Sequence, residues 1–292
     1  MTLRSLVEES RRRVMPRLYS VLPPEQATDV RHRLGRYRQW ETGFDLAPPP
    51  PPPGEETGPP DFVGVGVPMA GARWWSELIA DHPGVTQHEG LGMGRHYLSH
   101  FATRSFDTGD AERYHGWFPR RPRTITGEWT PTYLGDPWVP PLLRNAAPNA
   151  RILVVVRDPI ARLQLGLEES IDRRTANAGS HMAESIDRSF YAGPLRKLLD
   201  HVPADQVLVL QFERCIAEPA KELATTYRFL GLDDDHRPAK LGRRRPSPDL
   251  PPLDAGAEQR LIDLYAADVA DLTTLVPTLD LSLWPRFAGT AT

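Results

Sequence analysis

The sequence predicts an α/β fold with a central parallel sheet flanked by helices, and three observations predict it. Arg151–Val156 (RILVVV) and Val207–Phe212 (VLVLQF) are short, continuous apolar runs, the pattern of strands buried on both faces. Segments of helical periodicity separate these runs, so strands alternate with helices as in a parallel, helix-covered sheet. A third apolar run, Phe62–Val67, leads into Gly66 and Gly71 at the G-x-x-x-x-G spacing of a strand–loop–helix anion cradle. The expected architecture is therefore a P-loop-like three-layer sandwich.

The elements follow in order. Residues 1–45 read as helical and basic, with Arg4, Arg11, Arg12, Arg13, Arg17, Arg31, Arg33, Arg36 and Arg38. They are either a helix for an anionic membrane or partner, or a solvated extension packing on the main domain. Pro48–Pro53 is an unbroken proline run, extended and unable to donate hydrogen bonds, and reads as a spacer. This divides the chain into an extension over 1–60 and one domain over 61–292. After the first strand, Ala72–His82 reads as a helix that ends before Pro83. Arg151–Val156 follows as a strand, then a helix over Pro159–Ile171 that is broken by Asn177–Ser180. Tyr191–His201 is the next helix, Val207–Phe212 the next strand, and Pro219–Leu230 a helix capped by Gly231. Glu258–Val276 is a final amphipathic helix.

Composition excludes several classes. A formal charge of −3 argues against a dedicated nucleic-acid binder. One cysteine, Cys215, excludes a disulfide framework or a cysteine-based metal cluster, and no metal is expected. No apolar run reaches the ~18 residues of a membrane span. Charged Glu8, Glu9 and Arg11–Arg13 interrupt any signal-peptide core, so the expected compartment is the cytoplasm. The sequence leaves the oligomeric state open.

The loop itself is unusual. A nucleotide triphosphatase would follow the second glycine with Lys and Ser/Thr, whereas this chain has Ala72 and Arg73. What remains is a backbone cradle with an odd cation.

Together these segments resemble the sulfotransferase family that uses 3′-phosphoadenosine 5′-phosphosulfate (PAPS), over nearly everything from Asp61 to Trp284. The resemblance rests on five segments in order. They are the loop; His96-Tyr97; Gly127-Glu128-Trp129-Thr130-Pro131-Thr132-Tyr133-Leu134; Pro148–Arg151 running into Arg157-Asp158-Pro159-Ile160-Ala161-Arg162; and Val207–Glu213 with Phe229–Leu232 and Trp284. It implies that Pro68, Met69, Ala70, Gly71, Ala72, Arg73 and Trp74 form the 5′-phosphosulfate loop. In it Met69 stands where the family has lysine, Ala70 where it has serine, and Ala72 and Arg73 where it has hydroxyl residues. Arg73 is either a substitute cation folded back over the loop or an exposed residue on an ordinary helix start. Arg157 matches the arginine of the 3′-phosphate element, but Leu165 occupies its serine position.

Met93 and Gly94 fall where the family places a lysine and the general-base glutamate. His96 is then the nearest titratable substitute, with an ordinary pKa near ~6.5, and the alternative is a packing histidine. Glu128 keeps its family position, either at the substrate pocket or bracing the loop, and a buried carboxylate there needs a partner such as arginine. Tyr97, Trp129 and Tyr133 are implied pocket residues. Phe118–Arg123 and Arg243–Arg245 are basic stretches, read as an acceptor grip and a nucleotide-closing loop, or as solvated surface.

Three functions follow. The leading one is sulfuryl transfer from PAPS to a hydroxyl or amine of a small-molecule or glycan acceptor, without a metal. The second keeps the fold for PAPS-independent chemistry on a biosynthetic intermediate, because Met69, Ala72, Gly94 and Leu165 have lost polar groups in three elements serving one ligand. The third is a non-catalytic protein that binds a partner through its arginine-rich N-terminus and proline run.

Overall fold

The computed structural model describes residues 47–51, 53–88, 91, 96–102, 105–172, 178–242, 250 and 252–289, with backbone only over 169–172 and 178–181. The helices expected over 1–45, the Met93–Gly94 pair and Arg243–Arg245 lie outside the described residues. The sheet is built from β2 (Phe62–Gly66), β4 (Gly127–Trp129), β5 (Arg151–Val156) and β6 (Val207–Gln211), in the order β4-β2-β5-β6, all parallel. β2 is buried throughout and β5 from its second residue on, as continuous apolar runs require. β6 lies at an edge, so Val207–Val209 are only half-buried rather than covered on both faces.

Helix α1 (Ala72–Ala80) buries Ala72, Trp75, Leu78 and Ile79, one stripe at helical spacing. That stripe meets a later helix (Pro219–Leu230): Trp75 Nε1 donates to Thr226 Oγ1 at 3.1 Å, and Tyr227 OH donates to the Leu78 carbonyl at 2.8 Å. Where β2 carries Gly64, the Trp129 ring lies so close that a Cβ would stand 2.0 Å from it. A glycine in the strand is thus the space that the aromatic fills.

Four elements carry no strong periodic signal in the sequence. They are α2 (Thr108–His115), α3 (Val139–Ala146) and the paired short strands β1 (Glu56–Thr57) and β3 (Pro119–Arg120). α2 is held by a reciprocal capping box between Asp107 and Asp110. β1 and β3 pair antiparallel, Arg120 grips both Asp61 oxygens at 2.7 Å, and Arg121 pairs with Glu55. These ties carry the folded body upstream of Asp61, into part of the expected spacer. α4 (Pro159–Asp172) appears as expected, whereas Ala178, within the expected break, starts α5 (Ala178–Asp187). The remaining helices are α6 (Ala192–Leu199), α7 (Phe212–Ala217), α8 (Pro219–Leu230) and α9 (Ala255–Leu275).

The topology places the site. The crossover from β2 leads to β4 and that from β5 leads to β6, in opposite directions along the sheet. The crevice at the carboxyl ends of β2 and β5 is therefore a topological switch point, where open α/β sheets bind ligands. Gly71 starts α1 there with φ 86°, and a Cβ on it would stand 2.3 Å from the Phe212 ring. Left-handed backbone and overpacking together predict that Gly71→Ala lowers stability by about 2–5 kcal/mol. Gly193→Ala, where nothing lies within 4 Å, should change it by no more than about 1 kcal/mol. Urea midpoints measure both.

Candidate functional site

The segment Val67–Gly71 turns tightly between β2 and α1. Val67 N–H donates to the Val155 carbonyl at 3.0 Å, and Ala70 N–H closes the turn onto the Val67 carbonyl at 3.2 Å. Two arginines hold the carbonyls between. Arg162 Nε donates to the Pro68 carbonyl at 3.0 Å, and Arg157 Nη1 approaches the Met69 carbonyl at 3.4 Å. Arg162 is buried and also donates to the Ser185 carbonyl at 2.6 Å, so it ties the loop to α5. In a trans peptide the N–H points opposite to the C=O. Pinning the Pro68 carbonyl toward Arg162 therefore aims the Met69 N–H away from it, and Met69 adopts φ 66°. The first N–H groups of α1, at Ala72, Arg73 and Trp74, have no carbonyl one turn earlier to bond. Ala70, expected in the cradle, spends its N–H on the turn instead.

Arg157 sits at the end of β5 with its Cζ 4.4 Å from the centroid of the Phe212 ring. Tyr191 OH donates to its carbonyl at 2.9 Å. The same Phe212 ring packs on Gly71, so one aromatic sets the distance between arginine and loop. Asp158, the next residue, caps α4 by accepting from Ile160 N and Ala161 N, both at 2.9 Å. Its own N–H donates to Glu213, whose other oxygen accepts from Trp284 Nε1 at 2.8 Å. Burial raises the Glu213 pKa, opposed by these hydrogen bonds.

A cleft of about 210 Å³ opens beside the loop, lined by Val67 and Pro68, by Pro131, Leu134 and Gly135, and by Glu184, Asp187, Arg188, Phe190, Tyr191 and Pro194. His96, with φ 53°, shares a 3.0 Å hydrogen bond between Nδ1 and Thr132 Oγ1, within the cleft-lining segment Pro131–Gly135. Burial lowers its pKa; Asp136 opposes that shift and Arg188 adds to it. Asp136 is itself buried, accepts from Ser99 Oγ at 2.5 Å, and has its pKa raised by burial.

The remaining expected residues fall into two groups. Pro68, Met69, Gly71, Ala72 and Arg157 come together at the switch point, and His96 stands one element away. Arg73 does not fold back: it is exposed and bonds Glu77 at 3.1 Å, one helical turn on. Tyr97, Trp129 and Tyr133 are buried in the core rather than lining the cleft, whose wall is made by their neighbours. Trp74 is half-buried and packs edge-on against Trp75 at 5.2 Å. Leu165 is buried on α4, an apolar side chain where the 3′ element calls for a hydroxyl. Glu128 is fully buried and accepts from Tyr114 OH at 2.6 Å and Thr130 Oγ1 at 2.7 Å, two hydroxyls that hold its carboxylate in the core. Arg162 was visible in the Arg-Asp-Pro-x-x-Arg spacing and Phe212 fell within Val207–Glu213, though without an assigned role; Asp136 and Arg188 carried no motif signal.

The comparisons agree with this geometry. Residues 99–236 match a family model described as sulfotransferase family. Over those residues the chain is similar to the sulfotransferase family. Human heparan sulfate glucosamine 3-O-sulfotransferase 3B1 is 30% identical over 192 residues, covering 59% of this chain and 46% of the relative. Mouse heparan sulfate glucosamine 3-O-sulfotransferase 6 is 29% identical over 187 residues, covering 59% and 52%. The chain thus spans about half the length of the curated relatives it matches. A crystal structure of a sulfotransferase from Alicyclobacillus acidocaldarius shares the fold, with TM-score 0.58 and 22% identity, covering 78% of this chain and 99% of that one. Among the described residues no helix is long and apolar enough to cross a membrane, and no group of three or more His, Cys, Asp or Glu is placed to hold a metal.

A histidine whose folded pKa lies below its ordinary 6.5 contributes stability that is present above that value and lost as pH falls through it. His96→Gln should therefore flatten the fall in urea midpoint between about pH 8 and about pH 5.5. His82, lowered in the same direction by burial, keeps its share in the variant.

Proposed function

We propose that this protein transfers a sulfuryl group from PAPS to a hydroxyl or amine of a small-molecule or glycan acceptor. One pair of observations carries the reading: a loop at the switch point whose Pro68 and Met69 carbonyls are held by Arg162 and Arg157, which turns the Met69 N–H away from Arg162 beside the unbonded first N–H groups of α1, and a cleft alongside. The fit to PAPS is a matter of donor chemistry. Amides at the start of a helix of nine residues, together with an arginine at a strand end, suit a doubly anionic ligand. Bound there, PAPS would supply an activated sulfuryl group with adenosine 3′,5′-bisphosphate as its leaving group.

The protein's own groups then divide the work. The N–H groups of Met69, Gly71, Ala72, Arg73 and Trp74 hold the 5′ anion, and Arg157, fixed by Phe212, serves the 3′-phosphate. With Ala72 and Leu165 lacking hydroxyls, amides and arginine bear most of the anion binding. His96 accepts the proton of the acceptor hydroxyl at Nε2, because Nδ1 is committed to Thr132. Its lowered pKa keeps it neutral, hence basic, near pH ~7. Glu128 braces the strand from within the core. The glycan acceptors named for the relatives support a sugar hydroxyl or amine as one acceptor class. The division into an extension over 1–60 and a catalytic domain after it is part of the same proposal.

Calorimetric titration with adenosine 3′,5′-bisphosphate tests the reading directly, with micromolar binding expected. Arg157→Ala removes one charge-assisted contact of about 1.5–3 kcal/mol and should weaken binding by about 10- to 150-fold. Absence of binding at millimolar ligand to the unmodified protein would sink the proposal in favour of PAPS-independent chemistry. His96→Ala should leave that affinity intact but slow bisphosphate release from PAPS, with glucosamine oligosaccharide as acceptor, by about 10²- to 10⁴-fold.

A further inference from the structure

The loop lacks a lysine, since Met69 stands in that place, and Arg73 faces solvent. Arg157 and Arg162 are engaged with the loop's carbonyls. Charge that develops on transferred oxygens still needs a cation in a water-poor site. We propose that Arg188, at the end of α5, is that cation: it projects into the cleft beside Val67–Pro68 and contacts the sulfuryl oxygens during transfer. The inference rests on the PAPS reading above.

Four observations place Arg188. Among the described residues it is the one cation lining the cleft, together with Pro131 and Gly135. Its Nη1 would stand 3.3 Å from a Cβ built on Gly135, so that residue's lack of a side chain leaves the guanidinium its place. Its Nε bonds Glu184 Oε1 at 2.9 Å, which fixes the plane of the guanidinium. The pair is asymmetric: Arg188 is 19% exposed and Glu184 53%, so the arginine points inward.

An ordinary i,i+4 surface pair would contribute little and influence nothing beyond its helix. Arg188 instead bears electrostatically on three groups from three other elements, lowering the pKa values of His96 and Arg162 and opposing the rise at Asp136. The groups facing it are therefore His96, Asp136 and Arg162, with Glu184 and Asp187 at the rim. One guanidinium thus does two things. It adds to the burial that lowers the His96 pKa and offers donors to oxygens in the cleft. In the transfer, the bond from sulfur to the acceptor oxygen forms as the bond from sulfur to the phosphate oxygen breaks. The electron pair leaves with the bisphosphate, the proton goes to His96, and the charge on the sulfuryl oxygens falls to Arg188.

Equilibrium binding provides a test apart from turnover. Arg188→Met should raise the Kd for PAPS, measured without acceptor, about tenfold, and leave the Kd for adenosine 3′,5′-bisphosphate within about twofold, since only PAPS carries the sulfuryl group. Arg188→Lys should recover part of the difference, and Glu184→Gln should shift the PAPS Kd by less than about threefold. Bisphosphate release from PAPS should fall about 100-fold or more in Arg188→Met. Equal changes for both ligands, no change for either, or a Glu184→Gln loss as large as that of Arg188→Met would overturn the assignment and leave the PAPS reading standing. If the unmodified protein bound neither ligand, both would fall together. Should Arg188→Met fail to fold, the Arg188→Lys ratio of the two dissociation constants decides alone.

Discussion

The direction of two peptide groups governs this structure. Between β2 and α1 the chain has few residues in which to reverse, and peptide planarity means that whichever way a carbonyl points, the following N–H points the other way. Arg162 pulls the Pro68 carbonyl back toward α4 and α5, and Arg157 approaches that of Met69 from β5. The left-handed backbone of Met69 and Gly71 follows from that turn, and Phe212 fits against the one position that bears no Cβ. The outward turn of the Met69 N–H is thus a consequence of what lies behind the loop. The loop's side chains are apolar at Met69, Ala70 and Ala72, and the geometry persists because backbone, not side chains, makes it.

The surrounding electrostatics follow from burial as much as from charge pairs. Asp136, Glu213 and Asp268 all have raised pKa values with burial as the largest cause, while His96 and His82 are lowered for the same reason. Hydrogen bonds offset part of the cost. Backbone N–H groups of Tyr191 and Ala192 serve Asp268 at 2.7 and 3.1 Å, and Trp284 serves Glu213. The result is a site with a neutral histidine next to a charged arginine, an arrangement suited to accepting a proton while steadying negative oxygens.

Much of the fold was legible because buried parallel strands leave a plain mark. Arg151–Val156 is a strand over those same residues, and Pro219–Leu230 ends at Gly231 as its left-handed cap requires. α2, β1 and β3 left no comparable mark: they are short, partly polar, and depend on a capping box or on pairing with distant residues. The site was legible only where spacing is local. The Gly66–Gly71 loop between β2 and α1, and Arg157 and Arg162 between β5 and α4, each sit on fixed intervals along a single strand–turn–helix. Tyr97, Trp129 and Tyr133 looked like pocket aromatics, but large rings beside a glycine-bearing strand gain more by filling the core. Phe212, Asp136 and Arg188 reach the site from elements far apart in the chain, and no single-sequence pattern records such meetings.

The orientation of the loop amides is open to direct observation by amide ¹⁵N spectroscopy during titration with adenosine 3′,5′-bisphosphate. The amide signals of Met69, Gly71, Ala72 and Trp74 should move in proportion to ligand bound, while that of Ala70, committed to the Val67 carbonyl, should stay in place. Movement of Ala70 with Met69 unmoved would be incompatible with a cradle built by holding the carbonyls of Pro68 and Met69 from behind.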